Sequence, residues 1–141
     1  MTEPTLSVLV VDDNPFDVSL LKELIAETKV LVTIRIAKNG EQGMSELSEM
    51  IKKPPLPDLV FLDLNMPGEG GHYVLDFIRS KEALAKVKVI IYTGSVYQSD
   101  EYRAWKNRAD GYLVKPSGMV EMDTAIEKLR RILEALQASK G

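Results

Sequence analysis

The chain has 141 residues, 45% of them hydrophobic and 28% charged. That is enough for one domain with a real core and ordinary for a globular protein. The net charge is −3 and lysine and arginine nowhere cluster beyond pairs, so nucleic acid is a poor candidate partner. There is no cysteine, which excludes disulfide and thiol chemistry and fits a reducing cytoplasm. The amino end lacks a basic leader and the longest apolar runs are only strand length, so neither a signal peptide nor a membrane span is expected.

Leu6 to Val11 is an apolar run ended by Asp12-Asp13-Asn14-Pro15, a buried strand with a helix start directly behind it. Asn14 can cap and Pro15 suits the first helical position. Val18, Leu20, Leu21, Leu24 and Ile25 follow at helical spacing, with Asp17 and other charged residues between them. Val30 to Ala37 reads as a strand, Asn39-Gly40 as a turn, and Glu41 to Ile51 as a helix. Lys52 to Pro57 holds three prolines and is a loop.

Leu59 to Leu64 has five apolar residues and one aspartate, Asp63. A carboxylate left in an apolar strand costs several kcal/mol unless it is paired or binds a cation. Asp63 is therefore expected at the carboxyl end of the strand, the edge where open α/β sheets bind ligands. After the loop Met66 to Gly71, the residues Val74, Leu75, Phe77 and Ile78 give a helical face. Val87 to Tyr92 is a strand closed by Thr93-Gly94-Ser95, Asp100 to Arg108 a weakly apolar helix, and Gly111 to Val114 a strand that stops at Lys115-Pro116. A cis bond before Pro116 would help to aim the lysine. Met122, Ile126, Leu129, Leu133 and Leu136 mark the core face of a last helix, too short a pattern for a coiled-coil seam.

Five β-α units in strict alternation imply a parallel, flavodoxin-like α/β sandwich of five strands in the order 2-1-3-4-5. That order sets the ends of the first and third strands side by side, so Asp12, Asp13 and Asp63 converge. Three such carboxylates repel one another unless a hard cation neutralises them, and Mg²⁺ with its preference for oxygen suits them. A strand-end carboxylate there can act as a nucleophile toward phosphorus. Thr93 and Lys115 end the fourth and fifth strands and would place a hydroxyl and an ammonium within reach of a phosphoryl group on Asp63. His72, the sole histidine, is expected to pack or face solvent, since one imidazole makes no metal site. Tyr102 and Trp105 fit either the core or a partner patch.

The ordered set Asp12-Asp13, Asp63 with Met66-Pro67 and Gly71, Thr93-Gly94, and Tyr112 ahead of Lys115-Pro116 resembles the receiver domain of bacterial response regulators. The resemblance spans essentially the whole chain. It implies that Asp63 takes a phosphoryl group from a sensor histidine kinase or phosphotransfer protein. It further implies that Asp12, Asp13, Asp63 and the backbone carbonyl of Asn65 hold Mg²⁺, that Thr93 and Lys115 contact the phosphoryl group, and that Thr93 and Tyr112 form the switch. The family's face of fourth helix, fifth strand and fifth helix would then bind an unidentified downstream protein or a second copy. Asp12 to Asp17 resembles the stand-alone subgroup paired with phytochrome-type kinases.

The resemblance implies one receiver domain over residues 1–141 with no output domain, cytoplasmic and with no chemistry beyond self-phosphorylation and self-dephosphorylation. Asn65 and Ser95 are neutral neighbours of the site, which points to a phosphoryl lifetime ordinary for the family. Two departures stand out. Lys52 to Pro57 is an insertion, and Asn107 is the one fair left-handed residue where many members end the fourth helix on glycine. Two other functions compete. A Mg²⁺-dependent aspartate-nucleophile phosphatase would need a second aspartate where Asn65 stands. A scaffold indifferent to phosphorylation would have no use for the intact site.

Overall fold

The computed structural model describes residues 3–68, 70–94 and 98–141. Strands β1 (Leu6–Val11), β2 (Val32–Ala37), β3 (Leu59–Leu62), β4 (Lys88–Thr93) and β5 (Gly111–Val114) form one sheet. All pairings are parallel and the order is β2-β1-β3-β4-β5. Helices α1 (Pro15–Glu27), α2 (Gly40–Lys52), α3 (Gly70–Ser80), α4 (Gln98–Lys106) and α5 (Met119–Lys140) alternate with the strands, and a 3-10 turn spans Glu82–Leu84. Among the described residues no helix is long and apolar enough to cross a membrane.

The period of two along each strand divides the core into two layers. Leu9, Val11, Val60, Leu62, Val89 and Ile91 face α2 and α3, where Leu47, Val74, Leu75 and Ile78 meet them. Val8, Val10, Leu59, Phe61, Ile90 and Leu113 face the other way, onto Leu21 and Leu24 of α1 and Leu129 and Leu133 of α5. The central strand β3 is buried on both faces, as its unbroken apolar run requires.

Several sequence expectations shift in detail. β2 starts at Val32 rather than Val30, because Lys29 takes a positive φ of 65° and the Val30 amide donates to Thr28 Oγ1 at the end of α1. α4 covers Gln98–Lys106 rather than Asp100–Arg108. Its left-handed exit residue is Arg108, with φ 68°, and not Asn107. Tertiary bonds override local preference here: Arg79 Nε donates to Arg108 O at 2.9 Å and Arg108 Nη2 to Arg79 O at 3.2 Å. Among the described residues the cis peptide bond is Pro54–Pro55, in the loop after α2, and not Lys115–Pro116. Tyr102 and Trp105 lie on the surface rather than in the core. α5 runs to Lys140, with its apolar face on the core.

Candidate functional site

The site forms at the carboxyl edge of the sheet, where β1, β3, β4 and β5 end. Parallel pairing fixes the backbone there. Asp63 N donates to Val11 O at 3.1 Å, and Lys115 N to Thr93 O at 2.8 Å. The loop behind Asp63 is closed by Gly71, whose amide donates to Leu64 O at 3.3 Å. Asn14 caps α1 as expected: its Oδ1 accepts from Phe16 N at 2.9 Å and Asp17 N at 3.3 Å. The cap holds the helix start against the acid pair, and Asp12 Oδ1 in turn accepts from Asn14 N at 2.9 Å.

Asp63 is 4% exposed, so its carboxylate depends on its partners. Oδ1 accepts from Thr93 Oγ1 at 3.0 Å and from the Asn65 amide at 3.1 Å. Oδ2 accepts from Lys115 Nζ at 3.0 Å. Asn65 Nδ2 donates to Thr93 Oγ1 at 3.3 Å, which completes a ring of contacts around the strand end. Asp12, Asp13 and Asp63 each offer an oxygen within 4.8 Å of the others. Among the described residues the buried Asp12 Oδ2 is partnered by Lys115 Nζ, which stands 3.1 Å away as an ion pair. Three carboxylates gathered beside one ammonium fit a hard, oxygen-seeking cation such as Mg²⁺.

Electrostatics follow from crowding. Burial pushes the Asp12 carboxyl above its ordinary value, against the opposing pull of the Asn14 amide and Lys115. Burial alone would lower the Lys115 ammonium, but hydrogen bonds to Asp17 and Asp63 and the fields of Asp63 and Asp12 outweigh it and raise it. Tyr92, buried beneath with Lys115 Nζ 5.6 Å from its ring centre, has its phenol pushed up to about 12 by burial.

The structure thus brings together Asp12, Asp13, Asp63, Asn65, Thr93 and Lys115, all singled out from sequence. Tyr112 lies apart, 5% exposed in the core layer on the side of α4. Ser95 lies outside the described residues. His72 is half-buried on α3, its Nε2 3.7 Å from Asp100 Oδ1, and burial together with Arg103 lowers its imidazole against the pull of Asp100. Asp17 was missed. Its Oδ2 stands 2.8 Å from Lys115 Nζ, and it lines the mouth of a cleft of about 610 Å³ with Asp13, Phe16, Asn65 and Gly94. The available signal was its place three residues after the cap Asn14, in the helix turn that faces the acid pair.

A family model for the response regulator receiver domain matches residues 8–127. The nitrate/nitrite response regulator protein NarL of Escherichia coli is 38% identical over 109 residues, which cover 77% of this chain and 47% of NarL. The chain therefore spans about half the length of that relative. The phosphorylated cyanobacterial phytochrome response regulator RcpA matches with a TM-score of 0.81 at 23% identity, over 96% of both chains. Response regulator RPA3017, from red light signaling of R. palustris, matches with a TM-score of 0.76 at 27% identity, over 90% of both chains.

Proposed function

Since the chain belongs to the response regulator receiver domain family of two-component signalling, we propose that it is a phosphorylation switch with Asp63 as phosphoacceptor. One observation carries this reading: a buried strand-end carboxylate whose two oxygens are aimed by a hydroxyl, a backbone amide and an ammonium. The donor is a phosphohistidine of a sensor kinase or phosphotransfer protein. A carboxylate oxygen of Asp63 attacks phosphorus in line with the P–N bond. The P–O bond forms as the P–N bond breaks, and the imidazole nitrogen keeps the electron pair. Thr93 Oγ1 and Lys115 Nζ donate to the equatorial oxygens as charge redistributes over them. Asp12, Asp13, Asp63 and the Asn65 carbonyl would hold Mg²⁺, which when bound neutralises the carboxylates and draws charge from the phosphoryl oxygens.

Hydrolysis of the acyl phosphate resets the switch, and no other turnover belongs to this reading. Thr93 follows the phosphoryl group and Tyr112 moves with it, which shifts the packing of α4 and β5 between two populated arrangements. The α4-β5-α5 face then takes up a downstream protein or a second copy. The likeness to RPA3017, at 27% identity and from red light signaling, supports a light-sensing kinase as input. Asn65, in place of an acid, speaks against an aspartate-nucleophile phosphatase.

Incubation with Mg²⁺ and acetyl phosphate should add the mass of one phosphoryl group to the protein and none to Asp63→Asn. An adduct that persists in Asp63→Asn would overturn the assignment.

A further inference from the structure

Lys115 has one ammonium and, among the described residues, three carboxylate neighbours. Nζ stands 3.1 Å from Asp12 Oδ2, 3.0 Å from Asp63 Oδ2 and 2.8 Å from Asp17 Oδ2. The first two belong to the acidic cluster that suits a cation, and the third does not. Asp17 sits across the cleft mouth in the first turn of α1, with its side chain 30% exposed, while those of Asp12 and Asp63 are 2% and 5% exposed. Its backbone is fixed by the Asn14 cap, so its carboxylate approaches the ammonium from a rigid support.

A lysine drawn onto Asp12 and Asp63 occupies the oxygens that a divalent cation needs. An ammonium that releases Asp12 must keep another full partner, or it remains half-buried and under-satisfied. Asp17 is that partner, at the shortest of the three distances. We propose that Asp17 is a positioning residue for Lys115: it anchors the ammonium on the α1 side of the cleft, so that Asp12 and Asp63 can be surrendered to Mg²⁺. The same anchor keeps Nζ beside Asp63 for the incoming phosphoryl group. This role presupposes the phosphorylation switch for its use, but not for its geometry.

Two readouts on the full chain test it. The first needs neither metal nor phosphoryl group. The Lys115 ammonium should give a slowly exchanging proton–nitrogen NMR signal, lost in Asp17→Ala and restored in Asp17→Glu. A signal absent from the unsubstituted protein, or unchanged in Asp17→Ala, overturns the proposal. The second is the dissociation constant for Mg²⁺ alone, measured by NMR titration. Asp17→Ala should raise it about tenfold when Lys115 is present and less than about twofold in a Lys115→Ala background. Equal losses in both backgrounds would mean that Asp17 acts by charge alone, and would overturn the anchoring role. An unsubstituted protein that takes up neither Mg²⁺ nor a phosphoryl group sinks the switch, and the ammonium comparison then decides Asp17 by itself.

Discussion

Gly71 lies directly against the backbone of Asp63. A Cβ at position 71 would stand 2.1 Å from Asp63 O and 2.7 Å from Leu64 Cα, closer than any side chain tolerates. The first turn of α3 thus presses on the peptide that presents the buried carboxylate. Both obstacles are backbone, so neither can rotate aside. Gly71→Ala should lower the unfolding free energy by about 1–3 kcal/mol, measured by urea denaturation. It should also slow acyl phosphate formation, because the strand end must shift to make room. Unchanged stability and labelling would show that the loop yields freely.

The acidic cluster is held together against its own charge. Burial raises the Asp12 carboxyl from its ordinary 3.8, so the folded state binds a proton more tightly than the unfolded chain does. The stability linked to this group is complete below that value and is lost as pH rises through the folded value. At neutral pH Asp12 is therefore a deficit, and Asp12→Asn should stabilise the metal-free protein. The same substitution should reduce any rise in melting temperature that Mg²⁺ gives. Calorimetry with and without Mg²⁺ checks both, and a destabilised Asp12→Asn would contradict the account.

Alkali should loosen the same end of the molecule. Tyr92 ionises near 10 when unfolded and at about 12 when folded. Its contribution is intact below about 10 and is lost across that interval. Lys115 has the same sign, since its folded ammonium also holds its proton above the ordinary value. Unfolding free energy should therefore fall from about pH 10 upward. Tyr92 Oη is buried and makes no hydrogen bond among the described residues, so Tyr92→Phe removes an unsatisfied group. That variant should be as stable as the parent at pH 7 or more so, and less sensitive to alkali. Denaturant midpoints from pH 8 to 12 would show whether it is.

Arg79 ties the exit of α4 to the base of the sheet. Beyond its bond to Arg108 O, its Nη1 donates to Val87 O at 3.1 Å and its Nη2 to Asp110 Oδ2 at 2.6 Å. Asp110 Oδ2 also accepts from Val89 N at 2.8 Å. Arg79→Met should cost about 2–4 kcal/mol, since it leaves two carbonyls and a carboxylate under-satisfied. Hydrogen exchange should quicken first between Asn107 and Asp110. A loss spread evenly over the chain would argue against a local clamp.

The strand order and most of the site were legible in the sequence for one reason. Four of the five strands, β1, β3, β4 and β5, end on or next to a residue of the site, so the position of Asp63 or Thr93 along the chain is also its position in space. In the structure, buried runs such as Leu59–Leu62 pair in one register on both sides. The misses share the opposite cause. Asp17 looks like an ordinary solvent-face charge until Lys115 arrives from the far end of the chain. Arg108 takes a conformation its own preferences disfavour, because Arg79, remote in sequence, holds it there. Contacts between distant residues leave little mark on local pattern.

The backbone bonds of Asp63 to Val11 and of Lys115 to Thr93 clamp the strand ends like the fixed jaws of a vice. Sliding one strand past another would break a rung on each side of the cleft. A torsion at Thr93 or Lys115 breaks none. Motion at this end of the sheet is thereby channelled into side-chain rotors, so the fold can carry a message without surrendering its frame.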